Sequence, residues 1–191
     1  MNGWEWIVAV FAILIVIAVG GWMLRGGQRR RRLRERFGPE YERAVAGSAS
    51  RSDAESSLEE RVKRREGLEI RSLDPATIER YEASWRTIQA RFVDEPAAAL
   101  READGLVTEL MKERGYPIEE FDQRAADISV DHPHVVENYR QAHAISLADE
   151  QGEVGTEHLR RAMVHYRSLF QELLETENAN DSENTNKEEA R

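Results

Sequence analysis

From Trp6 to Leu24 the chain reads WIVAVFAILIVIAVGGWML, nineteen residues without a charged side chain and without a polar face. At about 1.5 Å per residue, such a helix covers close to the ~30 Å thickness of a hydrocarbon core. The pattern therefore predicts a membrane span rather than a buried core helix. Trp4 and Trp6 at one end and Trp22 at the other stand where amphipathic rings favour the membrane–water interface. After the span the pattern breaks: Gly38 and Pro39 interrupt any helix leaving the bilayer, and Phe37, Tyr41 and Val45 then repeat at four-residue spacing. Residues 47–57, GSASRSDAESS, have linker composition, and Leu58 to Glu69 reads as a solvated charged helix. A short coiled coil competes there, on two turns of weak pattern.

Stronger periodicity follows. Asp74 and Pro75 supply a cap and a first helical residue, after which Ile78, Tyr81, Trp85, Ile88 and Phe92 recur at intervals of three and four. Asp94 and Pro96 mark a second start, with Leu100, Ala103, Val107 and Leu110 as its stripe, widened by Leu106 and Met111, and Gly115 and Pro117 as its stop. A third helix fits Ile118 to Ile128. A fourth begins at Asp131 or His132 with Pro133 and carries Val136, Tyr139 and either Ala142 or His143 inward. A fifth runs from about Thr156 to Glu175 through Leu159, Met163 or Ala162, Tyr166, Leu169, Phe170 and Leu173. No stretch alternates as a strand requires, so the expected fold is all-α with a bundle of about five helices. The resulting division is a transmembrane anchor at 1–24, an Arg-rich juxtamembrane segment at 25–46, a polar linker with a charged helix at 47–72, a helical soluble domain at 73–176 and a disordered acidic tail at 177–191.

Charge sharpens this picture. The net charge is −9, yet residues 1–46 carry eight Arg against four Glu, so the rest of the chain holds all of the negative excess. An acidic body argues against nucleic acid, whose phosphates are met by Lys and Arg. Arg25, Arg29, Arg30, Arg31, Arg32, Arg34 and Arg36 follow the span, and only Met1 to Glu5 precede it. The positive-inside rule puts that cluster in the cytoplasm, with the amino terminus outside. A cleaved secretory signal would want basic residues before the apolar run and a small-residue cleavage site after it. The same Arg cluster invites a second reading, recognition of anionic lipid at roughly 1 kcal/mol per basic residue near the surface. The absence of cysteine removes disulfides, thiolate metal sites and cysteine nucleophiles.

The one compact group of reactive side chains is DHPHVVENYRQAH. It makes Asp131, His132, His134, Tyr139, Arg140 and His143 the candidate functional surface. Tyr139 and His143 are one helical turn apart, and His134 with Asp131 could contribute to a metal site completed from another helix. Against this, no His-Glu-x-x-His motif occurs, Asp131 is explained as a cap and Pro133 as a helix starter. No phosphate-cradling glycine loop and no nucleophile–base spacing stands out, so no cofactor, metal, small-molecule substrate or catalytic residue is assigned.

The segments RFGPEYERAV, WRTIQARFVDEPAAALREAD, ERGYP and DISVDHPHVVENYRQAH resemble an uncharacterised family of bacterial single-pass proteins. The resemblance covers the juxtamembrane piece and most of the domain. It implies no activity and no site residues, since members are described as hypothetical, membrane or secreted; the last label conflicts with the orientation above. The expectation is thus a non-enzymatic scaffold in a bacterial inner membrane, its carboxyl-terminal domain cytoplasmic, with the bilayer and an unidentified protein as partners.

Overall fold

The computed structural model describes Trp4, residues 27–152 and residues 154–188, with side chains up to 175 except at 150. The expected span, with Trp6, Trp22 and Arg25, lies outside the described residues, and Trp4 is exposed. Among the described residues no helix is long and apolar enough to cross a membrane. They form helices and no strand: α1 (27–37), α2 (Pro39–Ala46), α3 (Arg51–Glu66), α4 (Pro75–Arg91), α5 (Pro96–Glu113), α6 (Phe121–Asp131), α7 (Val136–Glu150) and α8 (Thr156–Glu188). The fold is all-α. Two compact units divide in sequence between Glu59 and Glu60, inside α3.

The first unit corrects the reading of 47–57 as linker. Helix α3 starts at Arg51, seven residues before Leu58, because Ser50 caps it: the Ser50 Oγ accepts the Asp53 amide at 3.2 Å and donates to the Asp53 carboxylate at 2.8 Å. Ala54 and Leu58, one turn apart, are fully buried, as are Phe37 and nearly Tyr41 and Leu33. The Tyr41 hydroxyl donates to the buried Glu55 at 2.8 Å, and burial, then Glu55, holds that phenol above its ordinary pKa. Arg29 of α1 forks onto Glu59 of α3 at 2.5 and 2.7 Å, which shows α3 returning along α1. Small polar composition concealed this helix because only two of its residues supply an apolar face, and their partners lie far back in the chain.

In the second unit the periodic stripes become the core. Asp74 caps α4 through the Thr77 amide at 3.0 Å, and Tyr81, Trp85 and Ile88 are buried, with Ile78 and Phe92 packed at the margin. Leu100, Ala103, Val107 and Leu110 of α5 are buried almost completely, as are Tyr166, Leu169 and Leu173 of α8. Helix α8 is central, packed against α5 and α7, while α4 lies on α5 and α6 on α7. The Trp85 ring stacks on Phe170 with centroids 4.7 Å apart.

Three boundaries differ from expectation. Helix α6 occupies Phe121–Asp131, so Asp131 ends a helix instead of capping the next one. Pro133 disfavours helical geometry in His132 and falls in the turn at 133–135, and α7 starts at Val136 without a side-chain cap. The backbone of α8 continues helical to Glu188, where a disordered tail was expected from 177. No Gly or Pro follows Gly155 to stop it, and extending an existing helix is far easier than nucleating one.

Between α3 and α4 the chain runs extended past the end of α5, where the Arg71 amide donates to the Arg114 carbonyl at 2.8 Å. Gly115 makes this possible. Its φ is +93°, and a Cβ there would stand 2.3 Å from the Glu69 carbonyl oxygen. Replacing Gly115 by Ala should cost about 2 kcal/mol or more, read as a lowered midpoint in denaturant unfolding followed by circular dichroism. Hydrogen exchange tests the first unit: amides 54–58 should be protected in the full-length chain, and Leu58→Ala should remove most of that protection. A solvated linker would exchange at the intrinsic rate with either residue.

Candidate functional site

The six reactive side chains of the 131–143 segment do not converge. Asp131 and His132 close α6 and turn toward α8 and the end of α5. Tyr139 and His143 sit on α7 beside Phe121. His134 is exposed on the turn, and the half-buried Arg140 lies 3.8 Å from Glu137.

Asp131 accepts the Tyr116 hydroxyl at 2.6 Å and the Nε of Arg65. Burial, then Asp131, pushes the Tyr116 phenol well above its usual value. His132 is 2 % exposed, its Nδ1 lies 3.3 Å from a Glu172 carboxylate oxygen, and its Nε2 is buried without a protein partner. Burial lowers the His132 pKa and Arg114 adds to this, while Glu172 and Asp131 oppose it. Arg114, itself 6 % exposed, donates to the Leu173 carbonyl of α8.

The second group is aromatic. His143 stacks on Phe121 at 3.7 Å and 12°, Tyr139 tilts against the same ring at 4.8 Å, and Tyr166 meets Tyr139 edge-on at 6.3 Å. The Tyr139 side chain is fully buried, and burial pushes its pKa up to about 12. The Tyr166 hydroxyl donates to Asp104 at 2.8 Å. These are the geometries of packed aromatic side chains with polar tips. They set no nucleophile beside a base.

Sequence reasoning missed the most deeply buried charge, Asp127, which has no exposed surface. Its Oδ1 accepts from Arg64 Nε at 2.8 Å and Gln123 Nε2 at 2.9 Å. Arg61 donates to Ser129 at 3.3 Å, so Arg61, Arg64 and Arg65, on one face of α3, meet Ser129, Asp127 and Asp131 of α6 in turn. The available signal was a pair of aspartates four apart beside the inner residues Ala125 and Ile128, with three arginines at helical spacing upstream.

Among the described residues no group of three or more His, Cys, Asp or Glu could hold a metal ion. A groove of about 300 Å³ between α4 and α8 has Trp85, Phe170 and Leu174 among its walls. A second, of about 610 Å³, lies along α4 and α5 near Tyr81 and Leu106. Neither is lined by any of the six candidate residues.

The α3–α6 contact can be tested by a double-mutant cycle. Arg64→Ala leaves Asp127 buried with Gln123 alone and should cost about 1–3 kcal/mol. That is below the ~3–5 expected for a wholly buried pair, because the Arg64 side chain is 42 % exposed. Asp127→Ala in that background should cost less than it does alone, and additive losses would show that the pair contributes nothing of its own.

Comparison of the chain with protein-family models, curated proteins and solved structures finds no match to any of them.

Proposed function

We propose that this chain is a membrane-tethered helical module that binds a protein partner at the cytoplasmic face of a bacterial inner membrane, in envelope maintenance or stress adaptation. The observation that carries the proposal is the uncharged run from Trp6 to Leu24 followed by seven arginines. Lipid accepts the first and resists passage of the second. Recognition of a protein is favoured over chemistry because Asp131, His132, Tyr139 and His143 are engaged in holding α6, α7 and α8 in place.

The ligand- or metal-binding reading centred on 131–143 keeps one observation in its favour, the buried Nε2 of His132. The lipid-sensing reading has less in its favour, because Arg29, Arg31 and Arg34 are paired with Glu59, Glu35 and Glu42. Each neutralised guanidinium contributes little to attraction by an anionic surface.

A reporter fused after Arg191 should be active only in the cytoplasm, and the chain should stay with membranes through alkaline extraction. Digestion of the bundle by protease added to cells with a permeabilised outer layer and intact inner membrane would reverse the orientation. Release by alkaline extraction would remove the tether.

A further inference from the structure

We propose that the corner between α6 and α7 is an acid-sensitive latch, held shut while His132 is neutral and loosened when its imidazole takes up a second ring proton. Three charged groups act on this imidazole in the second unit, and Tyr116 and Arg65 stand behind one of them, Asp131. Glu172 comes from α8, Asp131 from the end of α6, Arg114 and Tyr116 from the end of α5 and the residues after it, and Arg65 from α3. Asp131 is already held by Arg65 and Tyr116, and Arg114 opposes a positive charge on the ring, so a second ring proton adds charge to a group that burial has withdrawn from water.

The hydrogen-bond chemistry points the same way. A carboxylate at Nδ1 can only accept, so Nδ1 carries the proton of the neutral ring and Nε2 keeps its lone pair. Arg114 Nε–H is a buried donor without an acceptor, and Nε2 is a buried acceptor without a donor. A proton from solvent, reaching the site beside Glu172, whose side chain is 45 % exposed, can be taken only at Nε2. That converts the acceptor into a second unsatisfied donor and adds a positive charge near Arg114. An unsatisfied buried donor costs the desolvation of that group, so the corner relieves it by opening to water.

The backbone of His132 is where such opening would act. Its amide donates to the Ile128 carbonyl at 2.8 Å, and its carbonyl accepts from Val135 and Val136, both at 3.3 Å. One residue thus ties the end of α6 to the start of α7. The sign follows from burial, which lowers the His132 pKa below the ordinary value of an imidazole. The stabilisation is complete above that ordinary value and is lost as pH falls through the lower folded-state value.

The test is hydrogen exchange of the full-length chain in detergent micelles, with protection factors corrected for intrinsic rates. Amides 132–140 should lose protection at least about tenfold between pH 7.5 and the acid end of the histidine range, while amides 80–90 of α4 change less. Glu172→Gln removes the anion that favours the imidazolium, so the loss should start at the same pH, run on to lower pH and become larger. His132→Gln should abolish it, and His165→Gln, which removes another histidine depressed by burial, should leave it in place. Should His132→Gln fail to fold, the Glu172→Gln comparison decides alone. Equal protection at both pH values, or a loss whose lower pH limit and size Glu172→Gln leaves unchanged, overturns the latch.

Discussion

A carboxylate with no exposed surface has to be met by charge or by hydrogen bonds, and Asp127 is such a group. Removing an ion from water costs several kcal/mol even after relaxation, so an unpaired Asp127 would be a large liability for a domain of this size. Arg64 answers it from α3 while keeping part of its own side chain in water. That single requirement brings the end of α3 against α6, and Arg61 and Arg65 follow because they share its helical face. Once α3 is held there, the extended segment after Gly67 is led past the end of α5, where Arg71 and Gly115 close the backbone contact. Packing of α4, α5, α7 and α8 is hydrophobic and tolerant, whereas this edge is polar and specific.

Asp131 and His132 contribute to the same edge. Asp131 ties Tyr116 to Arg65, and His132 meets α8 through Glu172, next to the point where Arg114 satisfies the Leu173 carbonyl. Histidine, tyrosine and aspartate are the side chains that an active site would employ. They are equally the ones that let a small helical domain close a corner where three helices end and backbone groups need partners. Concentration of such residues in sequence therefore does not distinguish the two uses.

How much of this was legible follows from what each feature depends on. The stripes of α4, α5 and α8 were readable because period and burial are set by neighbours three and four residues away, and Asp74–Pro75 was readable because a cap is local. Arg64 and Asp127 are 63 positions apart, and no local rule couples them. Residues 51–57 looked like linker because Ala54 and Leu58 are too few to declare a face until Phe37 and Tyr41 are seen as the other half. The α6–α7 boundary moved because Pro133 serves a turn as well as it starts a helix. His132, placed at a helix start by the sequence, sits at a helix end, where its ring is drawn inward toward Glu172.

The first unit bears on what the Arg cluster is for. Topology responds to the count of Lys and Arg near a span, and Asp and Glu contribute little to it. Attraction to an anionic surface responds instead to net local charge, screened over about 8–10 Å. Placing Glu59, Glu35 and Glu42 on Arg29, Arg31 and Arg34 leaves the first quantity untouched and reduces the second. Carboxylates at those positions weaken the attraction of these three arginines to an anionic surface. A segment that folds into a compact helical unit while carrying so many arginines needs a means of relieving their mutual repulsion.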